Sequence, residues 1–162
     1  MKNWSERPKE IAYLLNPSFC ALLIYCTIKE YEKKCKRKVP FMLIYLILPI
    51  VLHKNTRQLI NSKSIMHTWI QKNAELLINF NKRTRNMIEI TNEAVEFLLG
   101  CKIINISNTA EISIEKIIST NKQKYTDDEE ILDCINKAGH IGRWFAKSGS
   151  TEAIYSMWGV RP

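Results

Sequence analysis

Three histidines, five cysteines and the acidic run Asp127, Asp128, Glu129, Glu130 are the groups in this 162-residue chain that could ligate a metal or move a proton. Imidazole and thiolate ligands work in sets held at short, characteristic spacings. His53, His67 and His140 stand far apart, and none is spaced with Cys, Asp or Glu as a metal ligand would be. Each reads as a surface or structural histidine. The cysteines, Cys20, Cys26, Cys35, Cys101 and Cys134, are odd in number and include no C-x-x-C pair, which argues against a disulfide framework or a zinc ribbon. Cys20 and Cys26 lie in apolar sequence, where a free thiol behaves as a small hydrophobe, so a reducing cytoplasm is expected. The consecutive carboxylates suit either a divalent cation or the start of a helix. Following Thr126 and preceding an apolar helical pattern, they read as a capping box in which Asp127 and Asp128 face the helix dipole. The chain has no G-x-x-x-x-G-K-[ST] loop and no G-x-S-x-G elbow, and its five glycines are too few for a phosphate cradle. The expectation is a chain without catalytic constellation, metal or cofactor, and not an enzyme.

Positive charge is the more concentrated chemistry. A net charge of +8 suits nucleic acid, an acidic protein partner or a lysine-rich solvated surface. Lys33, Lys34, Lys36, Arg37 and Lys38 gather where a long helix should end. Two readings stay open: a solvated helix end that complements the macrodipole, or a patch that contacts phosphates. Tyr31 is the one aromatic nearby, which disfavours a stacking platform for single strands. Lys82, Arg83 and Arg85 form a second cluster, read by default as another helix end.

The segments that position these groups are mostly helical. The composition, 46% apolar and 25% charged, is that of a soluble globular protein, and the length suits one α-rich domain over residues 1–162. The first residues, MKNWSERPKE, lack the pattern of a secretory signal. Ser5 to Leu15 reads as a short helix. Asn16-Pro17 then stops it and opens a long one to about Lys36, Asn as cap and Pro in the first turn. Phe19, Leu22, Leu23 and Cys26 share one face of it, with Cys20, Ile24 and Ile28 beside them. Phe41 to Leu52 carries no charge and must be buried on nearly every face. At roughly a dozen residues it is too short to cross a bilayer, which takes about 20. Pro49 should kink this core helix or split it after Ile47.

Beyond Asn55 to Asn61, a short helix or turn, Ser64 is placed to cap a helix carrying Ile65, Trp69 and Ile70, and Asn73 to Arg85 continues as helix with Leu76, Leu77 and Phe80 buried. Thr91-Asn92-Glu93 resembles a helix start and Gly100 its end. Lys102 to Ser107 and Glu111 to Ile114, separated by Asn108-Thr109-Ala110, read as a β-hairpin turning at Asn108. A helix running directly into a hairpin is how a winged-helix motif ends, so a winged-helix-like portion is expected at about 64–118. Ile117 and Ile118 belong either to a third strand or to a short helix. TNEAVEFLLG offers Glu93 and Glu96 and no cation to base edges, so the wing suits protein contact better than DNA reading. A polar connector, Asn121 to Tyr125, leads to a C-terminal helical segment over 126–162. Its first helix has Ile131, Ile135, Ala138, Ile141 and Phe145 at helical spacing, with Gly139 and Gly142 leaving room for close packing or a bend. Lys147 to Ser150 ends it, and Thr151 to Trp158 adds a short amphipathic turn.

Trp144, Tyr155 and Trp158 concentrate aromatic surface in this last segment, which either folds back on the core or anchors a partner. Arg7 to Phe19 (RPKEIAYLLNPSF), LPIVLHKNTR at Leu48 to Arg57, Trp69, and GRWFAKSG with WGVRP between Gly142 and Pro162 resemble the middle component of three-component ABC systems. The resemblance runs in order along almost the whole chain. It implies a winged-helix-like accessory subunit that assembles with an SMC-like ABC ATPase and an effector, often a nuclease, in Lamassu-type defence against phage or plasmids. Arg57, Trp144, Tyr155 and Trp158 are then the candidate partner contacts, with nonspecific DNA contact through Lys33 to Lys38 and no membrane association. The alternative is a winged-helix DNA-binding regulator.

Overall fold

The computed structural model describes residues 15–120 and 128–161, and the helix expected before Leu15, the connector at 121–125 and the Thr126 and Asp127 part of the capping box lie outside them. Helix α1 (Pro17–Cys35) begins as its sequence dictates. The Asn16 side chain accepts the Ser18 amide at 2.9 Å, and Pro17 occupies the first turn, where its missing N–H costs nothing. Lys36 closes the helix in the left-handed region at φ 56°, its N–H returning to the Glu32 carbonyl.

Strand β1 (Val39–Pro40) follows, then a 3-10 turn (Phe41–Leu43) and α2 (Ile44–Val51), of which every residue except Tyr45 is buried. The apolar run is therefore core, as its lack of charge requires. Of the two outcomes expected at Pro49, a kink or a split after Ile47, the split does not occur: α2 continues through Pro49 to Val51. Proline removes one N–H from the helical ladder, and here only two residues follow it, so little helix remains to be broken.

His53 caps α3 (Lys54–Leu59), its Nδ1 accepting the Thr56 amide. Helix α4 (Met66–Lys72) has no side-chain cap; the Ser64 hydroxyl donates instead to the Asn61 carbonyl, contrary to the expected role. The helix expected over Asn73 to Arg85 is also interrupted. A 3-10 turn (Ala74–Leu77) and α5 (Phe80–Asn86) are separated by Asn79 at φ 61°, a left-handed conformation that Asn tolerates better than most residues. Helix α6 (Ile88–Gly100) starts earlier than Thr91-Asn92-Glu93 suggested. Thr91 lies buried inside it, its hydroxyl donating back to Met87 O at 2.8 Å.

The hairpin is present as β2 (Ile104–Ile106) and β3 (Glu111–Ile114), with Ile106 opposite Ile112 and Ile104 opposite Ile114. The third strand is not the Ile117–Ile118 segment. It is β1, paired antiparallel to β3 through Val39 and Ile112, which gives the order β1-β3-β2. Proline at an edge position is compatible with a ladder because its absent N–H faces away from the partner strand.

The last long helix, α7 (Glu129–Lys147), is capped by Asp128, whose carboxylate accepts the Glu130 and Ile131 amides at 3.0 Å each. It packs along α1, and α6 flanks α1 as well. Gly142 permits this approach, and the buried Thr27 hydroxyl lies 2.9 Å from the Ala138 carbonyl across the crossing. Helix α8 (Thr151–Met157), capped by the Ser150 hydroxyl, folds the tail back onto the core. No helix among the described residues is long and apolar enough to cross a membrane.

Candidate interaction surface and the motifs that frame it

The basic cluster lies where helical periodicity put it. Lys33 and Lys34 occupy the last turn of α1, Lys36 is its cap, and Arg37 and Lys38 lead into β1. All five side chains are exposed. Inside the patch, the half-buried Glu32 accepts the Ile114 amide at 3.3 Å. Burial pushes its carboxyl up, against the pull of that hydrogen bond and of Lys38. One carboxylate is thus already used by the sheet, and the five cations face solvent. An exposed row of this kind attracts polyanions without any base-specific geometry.

Arg57 has a different place. It is 3% exposed, and its guanidinium joins three elements: Nη1 donates to the Val51 carbonyl at 3.0 Å, Nε to Asp133 at 2.9 Å and Nη2 to Glu130 at 2.6 Å. The end of α2, helix α3 and the first turns of α7 are tied by one side chain. Glu130 and Asp133 were not singled out beforehand as its partners. Their signal was their i, i+3 spacing, which puts both acids on one helix face. In the same motif, burial with Arg83 and Arg57 nearby lowers the His53 pKa, so the neutral ring can accept the Thr56 amide.

The aromatic residues converge on one another. The Trp69 ring lies tilted at 5.5 Å from Trp144 and 5.9 Å from Trp158, and Phe80 lies 4.8 Å from Trp158. Trp144 donates through Nε1 to Ser64 O at 2.8 Å, and Trp69 to Leu59 O at 2.9 Å. Tyr155 lies apart from this group, donating to the Met42 carbonyl at 2.6 Å, and burial pushes its phenol up to about 12. Trp144, Tyr155 and Trp158 are each at most 3% exposed. Of the two arrangements open to the tail, the chain adopts self-packing; as anchors for a partner these three, like Arg57, present almost no surface, because the aromatic area is already buried against the core.

Among the described residues no group of three or more His, Cys, Asp or Glu is gathered as a metal site. Burial raises the Cys20 thiol to about 12 and the Cys134 thiol to about 11, so both are protonated at neutral pH.

A family model matches residues 4–162: Middle Component 3 of ABC-three component (ABC-3C) systems. The chain belongs to this family. No curated protein matches it, and no solved structure does. A middle component is by name a part other than the ATPase, and its partners are the other components of its system. The motif blocks seen in the sequence acquire physical roles here: Leu48–Arg57 of this middle component builds the Arg57 tie, and Gly142–Trp158 builds the helix crossing and the aromatic cluster.

Proposed function

We propose that this middle component is a non-catalytic adaptor that joins an SMC-like ABC ATPase to an effector, such as a nuclease, in a cytoplasmic bacterial complex of the Lamassu type acting against phage or plasmids. The family match over nearly the whole chain is the observation that carries the reading. The internal use of its motif residues supports it. A scaffold that holds two partners in register needs a stiff body, and buried ties such as Arg57 with Glu130 and Asp133 stiffen one. The mechanism is positional: foreign DNA alters the ATPase, and the adaptor transmits the change to the effector.

The fold belongs to the same reading. Helix α1, strand β1, a stretch of five α-helices ending in α6, and then the β2–β3 hairpin with β1 on its outer side resembles the element order of a winged helix enlarged between its first two strands. That order supports a winged-helix-like accessory subunit, with α1 and β1 added to the portion at 64–118. A DNA-binding regulator is favoured by the exposed Lys33 to Lys38 cluster. Against it, the helix leading into the hairpin exposes Glu89 and Glu96, carboxylates that a phosphate backbone repels. Within the adaptor reading the cluster supplies nonspecific duplex contact.

Capture of the tagged full-length chain from cells that express its complete system tests this: both other components should be retained. Sequence-selective duplex binding by the isolated chain would favour the regulator, and hydrolysis of nucleic acid by it would overturn the non-catalytic reading.

A further inference from the structure

Three segments that are remote in sequence meet at a cleft of about 490 Å³: the Phe41–Leu43 turn with the start of α2, α5 with the start of α6, and α8 with the residues that follow it. Met42 and Ile88, 40% and 41% exposed, supply hydrocarbon from two sides. Val160 supplies it from the third. The tail reaches this position through a left-handed turn after α8: Gly159 at φ 67° lets its own N–H bond Ser156 O at 3.0 Å and the Val160 N–H bond Tyr155 O at 3.1 Å. Paired bonds of this kind close a helix on a glycine and fix the direction of the next residues.

What the cleft offers a ligand follows from which polar groups are already used. The Tyr45 hydroxyl donates to Asn92 Oδ1, Tyr155 to Met42 O and Thr84 to Phe80 O. Beyond the Asn81 amide at its edge, charged chemistry comes from Arg85 and Arg161, exposed and in no ion pair among the described residues. Among the described residues no carboxylate lines the cleft. Hydrocarbon flanked by two free guanidiniums is complementary to an apolar side chain flanked by carboxylates, since guanidinium binds carboxylate through paired hydrogen bonds. A nucleic-acid backbone fits poorly, because it would set charged phosphates over an apolar floor.

We propose that this cleft docks an acidic segment of another component of the same three-component system, with one large apolar side chain on the Met42, Ile88 and Val160 floor and carboxylates on Arg85 and Arg161. The proposal rests on the adaptor reading and names one of its surfaces. The test uses the full chain co-expressed with its system, together with overlapping synthetic peptides that tile the other components. Arg85→Glu with Arg161→Glu, and separately Ile88→Asp, change exposed side chains, and an unchanged melting temperature certifies each fold. The expected result is an acidic, apolar-containing peptide that binds the natural chain, binds each variant at least ten-fold more weakly, and binds the Arg85→Glu, Arg161→Glu chain again when its acids are replaced by lysine. A complex that forms with both variants as readily as with the natural chain overturns the docking site and leaves the adaptor reading standing. Failure of the natural chain to form any complex overturns both. Loss of duplex DNA binding in the variants, with no peptide bound by the natural chain, reassigns the cleft to nucleic acid and overturns the proposal.

Discussion

Gly142 lies directly against the backbone of Thr27: a Cβ at this glycine would stand 2.2 Å from the Thr27 carbonyl oxygen and 3.1 Å from the carbonyl carbon. Both atoms belong to the middle of α1, so neither can swing aside as a side-chain tip would. Helices α1 and α7 must therefore separate to admit a methyl group, which also stretches the Thr27 to Ala138 hydrogen bond. Gly142→Ala is expected to destabilise the fold by about 2 to 3 kcal/mol, overpacking outweighing the roughly 1 kcal/mol that alanine gains in a helix. Gly100→Ala is the control. Nothing lies within 4 Å of its added Cβ, so the same substitution should be neutral or slightly stabilising. Urea unfolding of the two variants measures the contrast.

Removing the Arg57 tie leaves the Val51 carbonyl without this donor and Glu130 without this partner, while Asp133 keeps Lys137 at 3.9 Å. Glu130 and Asp133 are 53% and 35% exposed and regain water, so the cost falls mainly on the buried end. Arg57→Met should cost about 2 to 3 kcal/mol, and Glu130→Gln under about 1 kcal/mol. A double-mutant cycle of the two by denaturant unfolding reads the coupling directly.

His140 makes stability depend on acid pH. It is 5% exposed and its pKa is lowered to about 4 by burial first, then by Arg143, Lys137 and Lys147, against the Ser64 backbone. The unfolded chain binds this proton at about 6.5 and the folded chain only near 4, so between these values the unfolded state holds more protons. Stability is full above pH 6.5 and falls as pH drops toward 4, by about 2 kcal/mol at pH 5 from this group alone. Urea midpoints at pH 7 and pH 5 should show that fall in the natural chain and a smaller one in His140→Gln.

Neutralising Lys33, Lys34, Lys36, Arg37 and Lys38 together as glutamine touches only exposed side chains, so the melting temperature should hold within a few degrees. Duplex DNA binding, measured by anisotropy across a salt series, should weaken at least a hundred-fold, and the slope of log affinity against log salt should shrink by as much as about 4. Retention of the other components of the system through this change separates the cationic patch from the docking surface.

How far the residues foretold this arrangement depends on where the deciding interaction lies. Asn16-Pro17 announces α1 and Gly149, at φ 87°, punctuates the end of α7, because caps and breakers act within a few residues. Thr91 misleads for the same reason: a good cap residue suggests a boundary, whereas it lies buried within α6 with its hydroxyl turned back to Met87 O. Strand β1 was invisible, since two residues ending in proline carry no alternation and exist only through pairing with β3. The spacing of the small residues in α7 suggested a close helix contact, but nothing in the chain order could tell that Thr27 would be the neighbour of Gly142. The candidate partner residues show the same division. The aromatic character of Trp144, Tyr155 and Trp158 is plain, but the inward orientation of the two tryptophans depends on Trp69 and Phe80 and that of Tyr155 on the Met42 carbonyl, all more than sixty positions away.

Whether this middle component bridges the other two is tested most directly by expressing the ATPase and the proposed effector with and without it and measuring the mass of what is captured through a tag on the ATPase. The adaptor reading predicts a complex containing all three chains when this one is present and the ATPase alone when it is omitted. Equal recovery of the effector on the ATPase in its absence would contradict it.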